Sequence, residues 1–213
     1  MLSSAAIVAE PWHHAWVGDY FERIVDVEVG AAEAEALGAR VVDWMVARGL
    51  LTRGMSSESM YSSKVEAGYV PGAQWAGIAD NWGADWLPGP VAVIVGRHPH
   101  HGGQGETEPE YATCPHCATR TVIIDYPNRW EAEPTVWQPF SSAIEEWVTA
   151  GAGDVTCRTC RTSAPISTWT WSDDFALGTL AVEFWHWPPL PDTFVSELVA
   201  QLGHRTVHHT GKF

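Results

Sequence analysis

Cys114-Pro115-His116-Cys117 and, after the 39 residues 118–156, Cys157-Arg158-Thr159-Cys160 decide how this chain is read. They contain all four of its cysteines. A C-x-x-C segment makes one tight turn with two sulfurs facing a single point, and two such turns complete the tetrahedron that zinc prefers. Two disulfides would need an oxidising compartment. A thioredoxin-like redox pair uses one C-x-x-C at a helix start rather than two matched turns, and iron or an iron–sulfur cluster is the remaining competitor. Zn2+ at Cys114, Cys117, Cys157 and Cys160 is the preferred reading. Four thiolates close the coordination sphere, whereas catalytic zinc keeps one position for water, so the ion is expected to be structural. His116 is expected on the surface beside the metal, and Arg158 and Arg161 are expected to offset the thiolate charge.

Working outward, Arg120–Asp125 reads as the strand leaving the first turn and Ser167–Trp171 as the strand leaving the second, with Trp169 and Trp171 on one face. Between them a helix is expected near 141–149. Ser142 and Glu145 have capping-box spacing at its start, and Ile144, Trp147 and Val148 form its apolar side. Over residues 112–171 the pattern resembles a four-cysteine zinc ribbon with a helix inserted between its knuckles. The gap between the cysteine pairs exceeds the roughly 15–20 residues usual for such spacings. The resemblance implies docking to nucleic acid or to a protein partner. Arg120, Arg129, Arg158 and Arg161 are outnumbered here by Asp125, Glu131, Glu133, Glu145, Glu146 and Asp154, which disfavours nucleic acid.

Either side of this segment the signals are mixed. Ile24–Val29 alternates apolar and acidic residues like a half-buried strand, and Leu37, Val41, Trp44 and Met45 share one face of a helix over 31–50. Residues 52–63 read as a polar loop and 65–70 as a short strand. Trp75, Trp82 and Trp86 fall on one helical face, but Gly72, Gly77 and Gly83 make an aromatic-rich loop an equal alternative. Val91–Val95 is a buried-strand signal, followed by a Gly/His/Glu loop over 96–110. Thr179–Trp187 reads as a strand, 193–202 as a helix with Phe194, Val195, Leu198, Val199 and Leu202 inward and Gly203 as its stop, and 204–210 as a last strand. The expected fold class is α+β: a mainly antiparallel sheet with flanking helices and an inserted zinc ribbon. Its expected parts are an N-terminal α+β part (1–111), the ribbon (112–171) and a strand–helix–strand part (172–213) that packs on the first.

The net charge is −14, and Lys64 and Lys212 are the only lysines. Such a chain is poorly suited to phosphate backbones or anionic membranes and permits association with a basic protein. Thirteen tryptophans are more than a core needs, so a few are expected at a binding surface. In Phe184-Trp185-His186-Trp187, one aromatic pair would face solvent if the sheet were covered on one side only. His98, His100 and His101 could hold a second metal, with His204, His208 and His209 as further candidates, although an exposed loop is the plainer reading. The adjacent pairs Glu145-Glu146 and Asp173-Asp174 would point to opposite faces, and no G-x-S-x-G, H-E-x-x-H or P-loop sequence is present. No apolar run reaches the roughly 18 residues that span a bilayer. The first residues lack a basic start and read as no signal peptide, so a cytoplasmic location is expected. The expectation for function is a non-enzymatic, acidic, protein-binding zinc-ribbon protein, such as an inhibitor or immunity-type protein for a basic partner. A nucleic-acid-associated ribbon factor and a metalloenzyme using the histidine loop are the alternatives.

Overall fold

The computed structural model describes residues 20–78, 86–102 and 108–212. Trp12, Trp16, Trp82 and part of the expected 96–110 loop lie outside them. Among the described residues the elements run β1 (Tyr20–Asp26), α1 (Ala31–Ala47), β2 (Leu51–Ser56), β3 (Gly68–Pro71), β4 (Val91–His101), β5 (Tyr111–Thr113), β6 (Arg120–Val122), α2 (Pro134–Ala150), β7 (Asp154–Thr156), β8 (Ser163–Pro165), β9 (Thr170–Trp171), β10 (Phe175–Trp185), α3 (Asp192–Leu202) and β11 (Thr206–Lys212). Six strands form one antiparallel sheet in the order β11-β1-β10-β4-β3-β2. The fold is α+β with flanking helices, as expected. No helix among the described residues is long and apolar enough to cross a membrane.

Both long-range helices pack on one face of the sheet. Leu37, Val41 and Met45 of α1 and Phe194, Leu198 and Leu202 of α3 share a core with Ile24, Leu180, Val182 and Phe184. These helix residues recur every three or four positions, so one stripe of each helix is buried. The opposite face carries Phe21, Val25, Ala92, Ile94, Ala181 and Trp185. Every residue of β10 is therefore buried. Phe184 is 0%, Trp185 1% and Trp187 4% exposed, so the aromatic run offers no solvent-facing pair and belongs to the core.

The second face is enclosed because the two-stranded ribbon of β4 and β10 curls over it. Arg23 lies opposite Glu183 and donates to it from Nε at 2.5 Å, yet its Nη1 also donates to the His101 carbonyl at 2.7 Å, opposite Phe175. In a flat ladder Glu183 and Phe175 would be about 26 Å apart, at about 3.3 Å per residue. The curl comes from a bulge: between the Val95–Leu180 and His98–Gly178 pairs, two residues of β4 oppose one of β10. Gly96 takes the required left-handed backbone at φ 116°. The ribbon's far end reaches β11, where a Cβ on Gly211 would stand 2.5 Å from the Gly102 carbonyl.

Several expectations change here. Residues 51–56 form edge strand β2 rather than loop, because its polar residues face solvent while Leu51 alone is fully buried. The histidine-rich segment is strand, not exposed loop: His98, His100 and His101 extend β4 along β10. Pro99 is tolerated because β3 pairs with β4 only at Val91, leaving this half of β4 paired on one side. Alternation then separates the histidines. His101 stacks edge-on against Phe175 at 5.0 Å, outside the curl, whereas His100 is 2% exposed inside it, with His209 of β11 equally buried. Asp26, expected on an open face, is fully buried. It accepts the Val29 amide at 2.8 Å and meets His204 Nδ1 at 2.8 Å.

Candidate metal centre

Each cysteine pair sits at the tip of a small hairpin. β5 and β6 lead into and out of Cys114–Cys117, and β7 and β8 do the same for Cys157–Cys160. The two tips repeat one backbone design. The Ala118 amide donates to the Cys114 carbonyl at 3.0 Å and the Arg161 amide to the Cys157 carbonyl at 2.9 Å. Cys114 and Cys157 in turn donate to Thr119 and Thr162. Ala118 and Arg161, each just after the second cysteine, adopt φ 55° and φ 60°. A left-handed residue there reverses the chain tightly enough to point both sulfurs the same way.

The four sulfurs lie within 4.8 Å of one another. Cys114 Sγ is 3.9 Å from Cys160 Sγ, and Cys117 Sγ is 3.7 Å from Cys157 Sγ. A tetrahedron of sulfurs about 2.3 Å from a central zinc has edges of about 3.8 Å, which matches, whereas a disulfide needs about 2.05 Å. All four cysteines are free thiols. The residues therefore fit a metal ion of tetrahedral preference. Burial pushes the Cys114 thiol up to about 11. Hydrogen bonds from Thr119 draw Cys117 down to about 6, and the Cys160 amide lowers Cys157. The set thus favours anionic sulfur most at Cys117, and the His116 amide, 3.4 Å from Cys114 Sγ, partly opposes the effect of burial on Cys114. Among the described residues no other cluster of three or more metal-ligating side chains occurs: the His98 and His100 rings face each other, centroids 6.2 Å apart, while His101 lies against Phe175.

The lobe around the centre has its own core, in which Ile123, Phe140, Ile144, Trp147 and Trp169 pack with Phe175 and Leu177 of β10. Phe140 touches both Trp169 (5.0 Å) and Trp171 (5.8 Å), so these two tryptophans do face the same side. The strand expected over Ser167–Trp171 is shorter, however, since Ile166–Thr168 forms a 3-10 turn. The expected 141–149 helix also begins earlier, at Pro134, where a missing N–H costs nothing. Ser142 is therefore mid-helix and accepts from Gln138 instead of capping. Pro139 lies inside α2 and has no N–H to return to the Thr135 carbonyl. Arg158, between the second pair of cysteines, donates its Nη2 to that carbonyl. Its observed partner is thus a helix carbonyl left open by a proline. The aromatic surface at Tyr126 and Trp130 escaped the sequence reading. The signal available was a tryptophan inside the turn-rich polar run Pro127-Asn128-Arg129-Trp130-Glu131.

Comparison with protein-family models, with curated proteins and with solved structures gave no match.

Proposed function

We propose that Cys114, Cys117, Cys157 and Cys160 hold one zinc ion that is structural, within a zinc-ribbon lobe, and that the protein acts by binding another protein, a basic one, rather than by catalysis. The sulfur spacing carries the first half: four thiolates leave no ligand position for water or substrate. The second half rests on the −14 charge and on Trp130, which is 75% exposed. An inhibitor or immunity-type protein is the most concrete form. Free thiols at this spacing suit a reducing compartment such as the cytoplasm. Elemental analysis of the purified chain should find one zinc per molecule. Zinc-loaded protein used as bait should recover a basic protein partner. Recovery of no protein, together with turnover of a small molecule, would overturn the binding role; a different metal would overturn the ion.

A further inference from the structure

The geometry points to a groove on the cysteine lobe as the site where a basic peptide segment of a partner protein docks through a large apolar side chain. This rests on the protein-binding reading above and names its surface. Trp130 stands 75% exposed and edge-on to Tyr126, ring centroids 4.9 Å apart. Together with Ile124 and Trp137 these rings wall a hollow of about 450 Å³ whose rim carries Glu108 and Glu131. Trp137 and Glu108 also line a second hollow of about 250 Å³, which runs along α2 past Ile144 to Glu145. The two hollows adjoin at Trp137 and Glu108 and are taken together as the groove: aromatic rings line both, with the carboxylates of Glu108, Glu131 and Glu145, the His101 ring, and no lysine or arginine.

Charge and shape select the occupant. Arg129, next to Trp130 in sequence, is paired with Glu133, which cancels its charge; Arg158 donates to the neutral Thr135 carbonyl and keeps its single charge, which the three carboxylates outnumber. A polyanion would be repelled; an extended or helical segment with Arg or Lys spaced around an apolar anchor satisfies both features. Tryptophan in such a hollow is the residue type that most often dominates binding energy. Its exposure also means that Trp130→Ala removes little packing from the fold.

The test uses the full-length, zinc-loaded chain and a displayed library of random peptides about twelve residues long. Enriched peptides should be net positive and carry an aromatic or large aliphatic residue. Their binding should fall about tenfold or more with Trp130→Ala, and should lose part of its salt dependence with Glu108→Gln/Glu131→Gln. Matching thermal melts for the variants would separate lost docking from lost folding. Basic peptides that bind Trp130→Ala undiminished would overturn the groove while leaving a basic partner in place. Neutral or acidic peptides, or none, would overturn the partner's chemistry. Self-association lost on Trp130→Ala, or a duplex oligonucleotide binding the groove in competition with the peptides, would overturn the proposal in favour of that occupant.

Discussion

Acidification from about pH 7 to about pH 5 should weaken the folded protein by about 2 kcal/mol through His209 alone. Burial, and then the Arg23 guanidinium, hold His209 at about 3 against an ordinary 6.5. The folded ring therefore stays neutral while the unfolded one takes up a proton below about pH 6.5. Between 6.5 and about 3 the unfolded state binds more protons, so stability falls as pH falls. At pH 5 the difference is about 1.5 logarithmic units, or about 2 kcal/mol, against a few tenths at pH 7. His100 lies inside the same curl and is pushed well down by burial and Arg23, so it acts in the same direction. Neither ring has a partner in good hydrogen-bond geometry. The groups acting on them are Arg23, Lys64, His98, His101 and His208, with the Asp173 backbone opposing the shift of His209, and none supplies a carboxylate bond to either ring. Urea titrations followed by tryptophan fluorescence, with zinc in excess, would compare the wild type with His209→Gln at both pH values. Metal binding is itself pH-dependent, but it cancels in the difference because His209 is not one of the clustered ligands and both proteins keep all four thiols. The wild type should lose about 2 kcal/mol more than the variant. Equal losses within about 0.5 kcal/mol would refute the reasoning.

Removing the metal with a chelator, or replacing Cys157→Ser, should unfold the 112–171 lobe, seen as loss of near-ultraviolet signal from its tryptophans; unchanged structure after metal loss would contradict a structural ion. Ala118→Gly and Arg161→Gly should each stabilise the fold by up to about 1 kcal/mol, and so raise the melting temperature, because φ 55° and φ 60° strain a residue with a Cβ. A lower melting temperature would show that the strain is not there. Arg158→Ala should cost about 1 kcal/mol in the native sequence and distinctly less beside Pro139→Ala, which restores a helical N–H for the Thr135 carbonyl. Strict additivity in that cycle would disprove the link.

Where local chemistry forces the outcome, the chain is readable. The cysteine spacing predicts convergence because a C-x-x-C turn leaves few other geometries, and Phe194, Leu198, Leu202 and Gly203 bound α3 almost to the residue. Reading fails where tertiary context overrides pattern. Thr52-Arg53-Gly54 has no alternation, yet the segment is an edge strand because Leu51 on one side and Met55 and Ser56 on the other pair with β3 across an irregularity. Pro99 and three histidines look like a loop, yet β10 supplies a ladder and the bulge at Gly96 supplies the bend. The helix start at Pro134 was hidden by Pro139, which reads as a breaker until Arg158 is seen to replace the bond it removes. Trp130 could not be placed because exposure is a property of the assembled lobe, not of its neighbours in sequence.

The curled ribbon makes the cysteine lobe inseparable from the rest. Phe175 and Leu177 face its core, while Ala176 between them faces the enclosed side of the main sheet. One strand is a party wall between two interiors. A fragment cut at 112 and 171 would expose Ile123, Phe140 and Trp169 where that wall had been, so the cysteine pairs, though they look like a portable cassette, are not transplantable by their own boundaries. The larger domain, deprived of the lobe, would present Phe175 and Leu177 to water. Insertions, fusions and truncations are therefore better placed in the exposed turn at 57–59 than at either end of the lobe.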